Sequence, residues 1–293
     1  MRLRNAVQAV SRKIAVGIGL LCGLGAQAEA DPAMWVVKDA DSTVYLLGTI
    51  HVMKPGVTWR SEKLDAALRS SSEFWMETDA NEAVVQTYAL NFGMDSRKEL
   101  ASSVGAKNFE KFVTIAKSHN IPTRDLHQMR PWLATIVLTQ AQMASIGYDP
   151  ALGVDRTLQN ESIATGKVVK SFESASDQLG HLADMPDEIA GEMFVQTLQE
   201  VGDGEKVIEA LQTAWLSGNV KQLQKISADR MRREAPELFD AIIKRRNDNW
   251  VKQIETLMQG SGTQFIAVGA AHLVGKDSLP DQLAKRGYKV QRY

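Results

Sequence analysis

The chain has 293 residues, of which 44% are apolar, 24% charged and 6% aromatic, and its formal net charge is −1. This is the composition of a globular protein able to bury a sizeable core, and it excludes a disordered, collagen-like or polytopic membrane chain. With 34 basic against 35 acidic side chains there is no positive excess to grip a phosphate backbone, so nucleic-acid binding is excluded as a function class.

Residues 1–30 differ in character from the rest. Arg2, Arg4, Arg12 and Lys13 precede an apolar run from Ile14 to Gly25, and small residues follow at Ala26, Ala28 and Ala30. This order predicts a cleavable signal peptide and hence a periplasmic or secreted protein. The apolar run falls short of the roughly 20 residues needed to span a bilayer, so no stable transmembrane span is expected after cleavage. The single cysteine, Cys22, lies inside this segment, which leaves residues 31–293 without a disulfide, a thiolate ligand or a cysteine nucleophile.

Met34 to Val37, a turn at Asp39 to Ser42, and Thr43 to Thr49 read as a β-hairpin. Leu64, Ala67 and Leu68 give Ser61 to Ser70 a helical stripe, and Glu73 to Thr78 is an apolar run of strand length. Helical patterning dominates from Asn81 to Gly166, strongest in Ala106 to Ser118 and in Pro131 to Ile146, and again from Ser174 to Gly260. Lys167 to Glu173 interrupts it as a strand. Strand Thr263 to Gly269, helix Ser278 to Arg286 and strand Tyr288 to Arg292 close the chain. No linker divides residues 31–293. We therefore expect a single α/β domain whose central mixed sheet is built from two β-loop-α-β units at the chain ends, with a large helical insertion between them.

A weak internal repeat marks those units. Gly48-Thr-Ile-His51 and Gly269-Ala-Ala-His272 each follow an apolar strand, and each is followed by a loop, an amphipathic helix and another strand. Two of the five histidines thus occupy matching places past the C-terminal ends of strands, where α/β sheets carry their sites. The alternative is that both are strand-end histidines satisfied by ordinary hydrogen bonds. His119, His127 and His181 lie in helical or loop surroundings that suggest no chemistry. Glu77 closes the strand Phe74-Trp75-Met76 and suits either a metal ligand or a general base. Asp79 competes for those roles, but reads better as a cap for the helix near Asn81. Over Pro236 to Met258, Arg246 falls in the gap of a stripe formed by Phe239, Ile242, Ile243, Trp250, Ile254 and Leu257. An inward arginine must pair with a core carboxylate or reach a site anion. Asn247 beside it could add a hydrogen bond. The zincin, α/β-hydrolase, phosphate-loop and dinucleotide signatures are missing.

The paired motifs with Glu77 between them resemble those of the TraB/GumN family, which includes the Tiki proteins. Arg130-Pro-Trp132, Gly147-Tyr-Asp-Pro-Ala-Leu-Gly-Val-Asp155, Arg245-Arg-Asn-Asp-Asn-Trp250 and Arg286-Gly-Tyr288 extend the similarity over almost all of residues 31–293. The resemblance implies an erythromycin-esterase/ChaN-like α/β fold. It also implies the metalloprotease activity ascribed to the Tiki branch, centred on His51, His272 and Glu77.

Three functions are then expected to compete. The first is an exported hydrolase, most simply a peptidase, in which His51, His272 and Glu77 hold a divalent metal ion such as Mn, Co or Zn. There Glu77 and Arg246 would be the catalytic groups acting on a peptide or other amide or ester substrate. The second is a metal-free, esterase-like hydrolase with a histidine base oriented by Glu77. The third is a periplasmic protein that binds haem or a metal.

Overall fold

A computed structural model describes residues 30–79, 82–201 and 204–293; the expected signal peptide, apart from Ala30, lies outside them. Six strands form one sheet: β1 (Met34–Lys38), β2 (Ser42–Thr49), β3 (Glu73–Thr78), β4 (Val168–Glu173), β5 (Gly262–Gly269) and β6 (Val290–Arg292). Their spatial order is β4-β3-β5-β2-β1-β6. The first four in that order run parallel; β1 is antiparallel to both β2 and β6. The architecture is the expected mixed α/β domain. Among the described residues no helix is long and apolar enough to cross a membrane.

Side-chain alternation gives the sheet two buried faces. Tyr45, Leu47, Phe74, Met76, Phe265 and Ala267 pack on one face with Trp215 and Leu64. Val44, Leu46, Ile266 and Val268 pack on the other with Trp250, Ile254 and Leu279. The helical insertion carries a further apolar cluster of its own around Phe112, Leu138 and Phe194. Arg130 and Trp132 belong to that region: Arg130 pairs with Asp187 at 3.1 Å and Trp132 is fully buried, so this motif secures the insertion.

The two terminal units are both crossovers within the sheet, and they leave in opposite directions. From β2 the chain passes through the helix Glu62–Ser70 and over β5 to reach β3. From β5 it passes through the helix Leu279–Lys285 and over β2 and β1 to reach β6. A crevice opens at such a reversal, just outside the carboxyl ends of the strands. Both Gly-x-x-His motifs lie at this edge, with Thr49 in register with Gly269.

The stretch from Pro236 to Met258 is not the uninterrupted α-helix its periodicity suggests. A π-helical turn at Asp240–Lys244 joins Pro236–Phe239 to Arg245–Met258. The Arg245 N–H reaches back to the Asp240 carbonyl. Downstream of this wider turn, Arg246, Asn247, Trp250 and Ile254 are buried, so the inward face expected for Arg246 is kept through the interruption.

Candidate functional site

Four parallel strand ends supply Thr49, Glu77, Glu173 and Gly269, and the segments after β2 and β5 supply His51 and His272. Gly269 is the point of closest approach. A Cβ there would stand 3.0 Å from Glu77 Oε1, 3.4 Å from His51 Nε2 and 3.7 Å from His272 Cδ2, so the missing side chain is the space in which the three groups converge. The Gly269 N–H donates to Glu77 Oε1 at 2.6 Å. Gly48 has a different duty, because a Cβ on it would press on Ala270 Cα at 3.1 Å. Its carbonyl is pinned by Trp215 Nε1 at 2.6 Å.

Equivalent in sequence, the two histidines are unlike in surroundings. His272 is 3% exposed. The Asn247 amide nitrogen donates to the carbonyls of Asp277 at 2.9 Å and His272 at 3.3 Å, so its oxygen must accept from His272 Nδ1–H at 2.7 Å. That fixes the neutral tautomer with the lone pair on Nε2. Burial, with the Arg246 charge adding to it, overrides the pull of Glu77 and brings the His272 pKa down to about 3. His51 instead stands at the mouth, its side chain 62% exposed, with Nδ1 3.1 Å from Asp155 Oδ1. What desolvation it suffers lowers its pKa, but the charge and hydrogen bond of Asp155 outweigh this and raise it to about 9.

The Gly147–Asp155 motif braces His51. Met53 and Asp149 exchange backbone hydrogen bonds at 3.2 and 3.0 Å, and the Val154 N–H donates to the Ile50 carbonyl at 3.0 Å. Gly153 lies so close to the His51 carbonyl that any Cβ would collide with it.

Arg246 is 4% exposed and ties the two halves together. Its Nη2 donates to Glu77 Oε2 at 2.7 Å and also to Glu173 Oε1, which Nε reaches at 2.8 Å. Nη1 donates to the Ile242 carbonyl at 3.1 Å and faces the His272 Nε2 lone pair at 3.2 Å. All five N–H groups thus have protein partners, and the guanidinium stacks over Trp250, 4.6 Å from the ring centroid. Of the two alternatives expected for an inward arginine, the structure shows the pairing with buried carboxylates, Glu77 and Glu173. Burial favours neutral Glu77, but the charges of His272, Arg246 and His51 and the Gly269 N–H reverse this. Since His272 is neutral near pH 7, Arg246, His51 and the amide carry the effect. Glu77 is held ionised, well below the usual carboxylate range.

The helix Ala175–Ala183 forms one wall and brings residues whose sequence context gave no sign of it. Gln178 Nε2 donates to Glu77 Oε2 at 3.2 Å, and His181 Nε2 lies 3.6 Å from Glu173 Oε2. Glu173 ends a parallel strand as Glu77 does, and that shared position was its available signal. Asp79 accepts from the Ala175 N–H at 3.3 Å, at the start of this wall helix; the helix start near Asn81 that it was expected to cap lies outside the described residues. His119 sits at the end of the helix Ala106–Ser118, and His127 contacts Gln128; neither joins the site.

The donor types at the centre, two imidazoles and a carboxylate, are ones a divalent cation accepts. Both imidazoles have Nδ1 tied outward, to Asp155 and Asn247, which leaves both Nε2 atoms directed at the Glu77 and Gly269 side, as metal-ligating histidines are oriented. Arg246 is the counterweight, because its Nη1 occupies the approach to His272 Nε2. As arranged, no three His, Cys, Asp or Glu side chains among the described residues form a ready cation cage.

A mixed-sheet α/β domain with a switch-point site built from two Gly-x-x-His turns, a strand-end glutamate and a buried arginine defines the class of protein. The chain belongs to the TraB/PrgY/gumN family, whose model matches residues 33–292. Its relatives include the uncharacterised protein YbaP of Escherichia coli (strain K12), 21% identical over 253 residues, which cover 86% of this chain and 92% of that protein. The Shigella flexneri YbaP matches to the same extent. An uncharacterised protein of Treponema pallidum (strain Nichols) is 21% identical over 270 residues, covering 86% of this chain and 80% of its own length.

Proposed function

We propose that the protein is an exported hydrolase of amide or ester bonds, most simply a metal-dependent peptidase, working in the periplasm or outside the cell. One observation carries the reading: His51 Nε2, Glu77 Oε1 and His272 surround the space left by the missing Gly269 side chain. His51, His272 and Glu77 are the residues that would hold the cation. A divalent ion bound there supplies Lewis acidity, polarising an acyl oxygen or lowering the pKa of water. The rest falls to the chain itself. Asn247 and Asp155 hold the two imidazoles in their working tautomers, and Gln178 and the Gly269 amide fix the Glu77 carboxylate. His51, at the mouth, is held with Nε2 toward the centre by its Nδ1 contact to Asp155. With all five N–H groups engaged, Arg246 acts as a positioning residue that keeps Glu77 ionised, not as a free oxyanion donor.

A second reading, a metal-free hydrolase, is favoured by the 3.2 Å approach of Arg246 Nη1 to His272 Nε2. The haem-binding reading takes no support from a site cavity of about 160 Å³.

The test is to purify the secreted form, measure its intact mass, titrate it with Mn, Co and Zn ions by calorimetry, and screen it against a mixed peptide pool. One bound ion, lost in His51→Ala and in His272→Ala, with peptide cleavage that follows ion loading, is the expected result. Cleavage unaffected by chelator and by added ions would transfer the assignment to the metal-free reading. An intact Met1 on protein in the cytoplasmic fraction would remove the export proposal.

A further inference from the structure

The cavity at the centre is bordered by Thr49, Met76 and Ala267 at its base and by His51, Glu77, Asp155 and Gln178 around it. Its volume is about 160 Å³, close to the roughly 150 Å³ of a pocket that accepts benzene. Glu77 is held by Gly269, Arg246 and Gln178, and His51 Nδ1 by Asp155. Thr49 differs from them: it is 2% exposed and its buried Oγ1 has no hydrogen-bond partner. Among the described residues with a buried, unpartnered side-chain polar atom, Thr49 is the one that lines the cavity.

A lone hydroxyl here is costly and easily avoided. An unsatisfied buried hydroxyl destabilises the fold, whereas valine has the same shape and suits a buried strand better. The preceding β2 positions Val44, Leu46 and Leu47 are apolar and fully buried. Thr49 pairs in register with Gly269, so its hydroxyl belongs to the same strand-end layer as the amide that holds Glu77.

We propose that Thr49 is a substrate-positioning residue, its hydroxyl donating to the acyl oxygen of a small amide or ester group that enters this cavity. Met76 and Ala267 add apolar surface to the lining, and the volume accommodates a group of about the size of a benzene ring. The proposal rests on the reading of the centre as an acyl hydrolase, but it is tested without turnover.

N-methylacetamide, the smallest peptide-like amide, is the probe, titrated into the full secreted chain by NMR. Wild-type protein and Thr49→Ser should bind it, and Thr49→Val should bind at least about 5-fold more weakly, the loss expected for one hydrogen bond. Thermal unfolding of probe-free Thr49→Val should occur at the same temperature as wild type or a few degrees higher, because the lost hydroxyl has no partner. Wild-type protein that does not bind the probe, equal binding by Thr49→Val, or a Thr49→Val melting point several degrees lower would each overturn the proposal. Thr49-dependent probe binding without cleavage of any peptide would instead count against the hydrolase reading and leave the subsite standing.

Discussion

Glu77 Oε1 accepts the Gly269 backbone N–H at 2.6 Å, joining the end of β3 to the turn that presents His272. The glycine of the second motif therefore serves the carboxylate as much as the histidine that follows it. Gly269 has φ −49° and ψ 137°, a backbone conformation open to any residue. Space, not backbone freedom, demands glycine here.

Gly269→Ala follows from that distinction. The added methyl would stand 3.0 Å from Glu77 Oε1, so the carboxylate must move or the strand must shift, at a cost of about 1–3 kcal/mol. Urea unfolding should show a folded protein with that modest loss, while cation binding and hydrolysis vanish. A variant retaining wild-type cation affinity would show that the convergence around Gly269 is not a binding centre.

Arg246→Met should be far more damaging to the fold. It strands Glu77 and Glu173, whose side chains are 9% and 6% exposed, and breaking a buried pair in this way costs about 3–5 kcal/mol. Arg246→Lys keeps the charge but cannot serve Glu77, Glu173, Ile242 and His272 together. Its denaturation midpoint should fall between those of wild type and Arg246→Met, and any turnover should drop. A Lys variant as stable and active as wild type would reduce the fork geometry to simple charge balance.

Asp155→Asn should release His51. The amide removes the negative charge that raises the imidazole pKa to about 9, and the value should return toward the ordinary 6.5 or lower, read from the ring-proton shifts in an NMR pH titration. No movement of the titration midpoint would mean that the exposed ring is governed by solvent and not by Asp155.

Stability should fall steadily in acid. The His272 pKa is lowered from 6.5 to about 3, so the unfolded chain binds the extra proton first; its contribution is complete above pH 6.5 and is lost as pH falls toward 3. Glu77, with its pKa also depressed, contributes fully above about 4.5 and loses that contribution below it. His51 works in the opposite sense: its raised pKa stabilises below 6.5 and ceases to do so as pH rises through about 9. Chemical unfolding of the ion-free protein should show stability level or rising as pH falls from 8 to 6.5, and then a decline on the order of a few kcal/mol from pH 6.5 to 4. His272→Gln should flatten the part between pH 6.5 and 4.5; an unchanged slope would contradict a neutral, buried His272.

Periodicity and local chemistry were enough to locate the elements. The bounds of β3 and of the helix Ala106–Ser118 are those expected from sequence, because an apolar run of strand length and a 3.6-residue stripe each have one good way to be buried. The Gly-x-x-His repeat and Glu77 were visible for a related reason, since each follows a strand directly. The composition of residues 31–293 also set limits on chemistry, by offering no cysteine. Tertiary structure alone decided that the two histidines are inequivalent. Their motifs match, but Asn247 and Trp250 enclose one while Asp155 braces the other at the solvent edge. It decided also that Glu173, Gln178 and Thr49 join the centre, for no local pattern reports which strand ends become neighbours. The π turn at Asp240–Lys244 escaped the periodicity because the inward positions expected after it, Arg246, Trp250 and Ile254, are the ones found buried; a widened turn leaves no mark in the sequence when the apolar stripe continues past it.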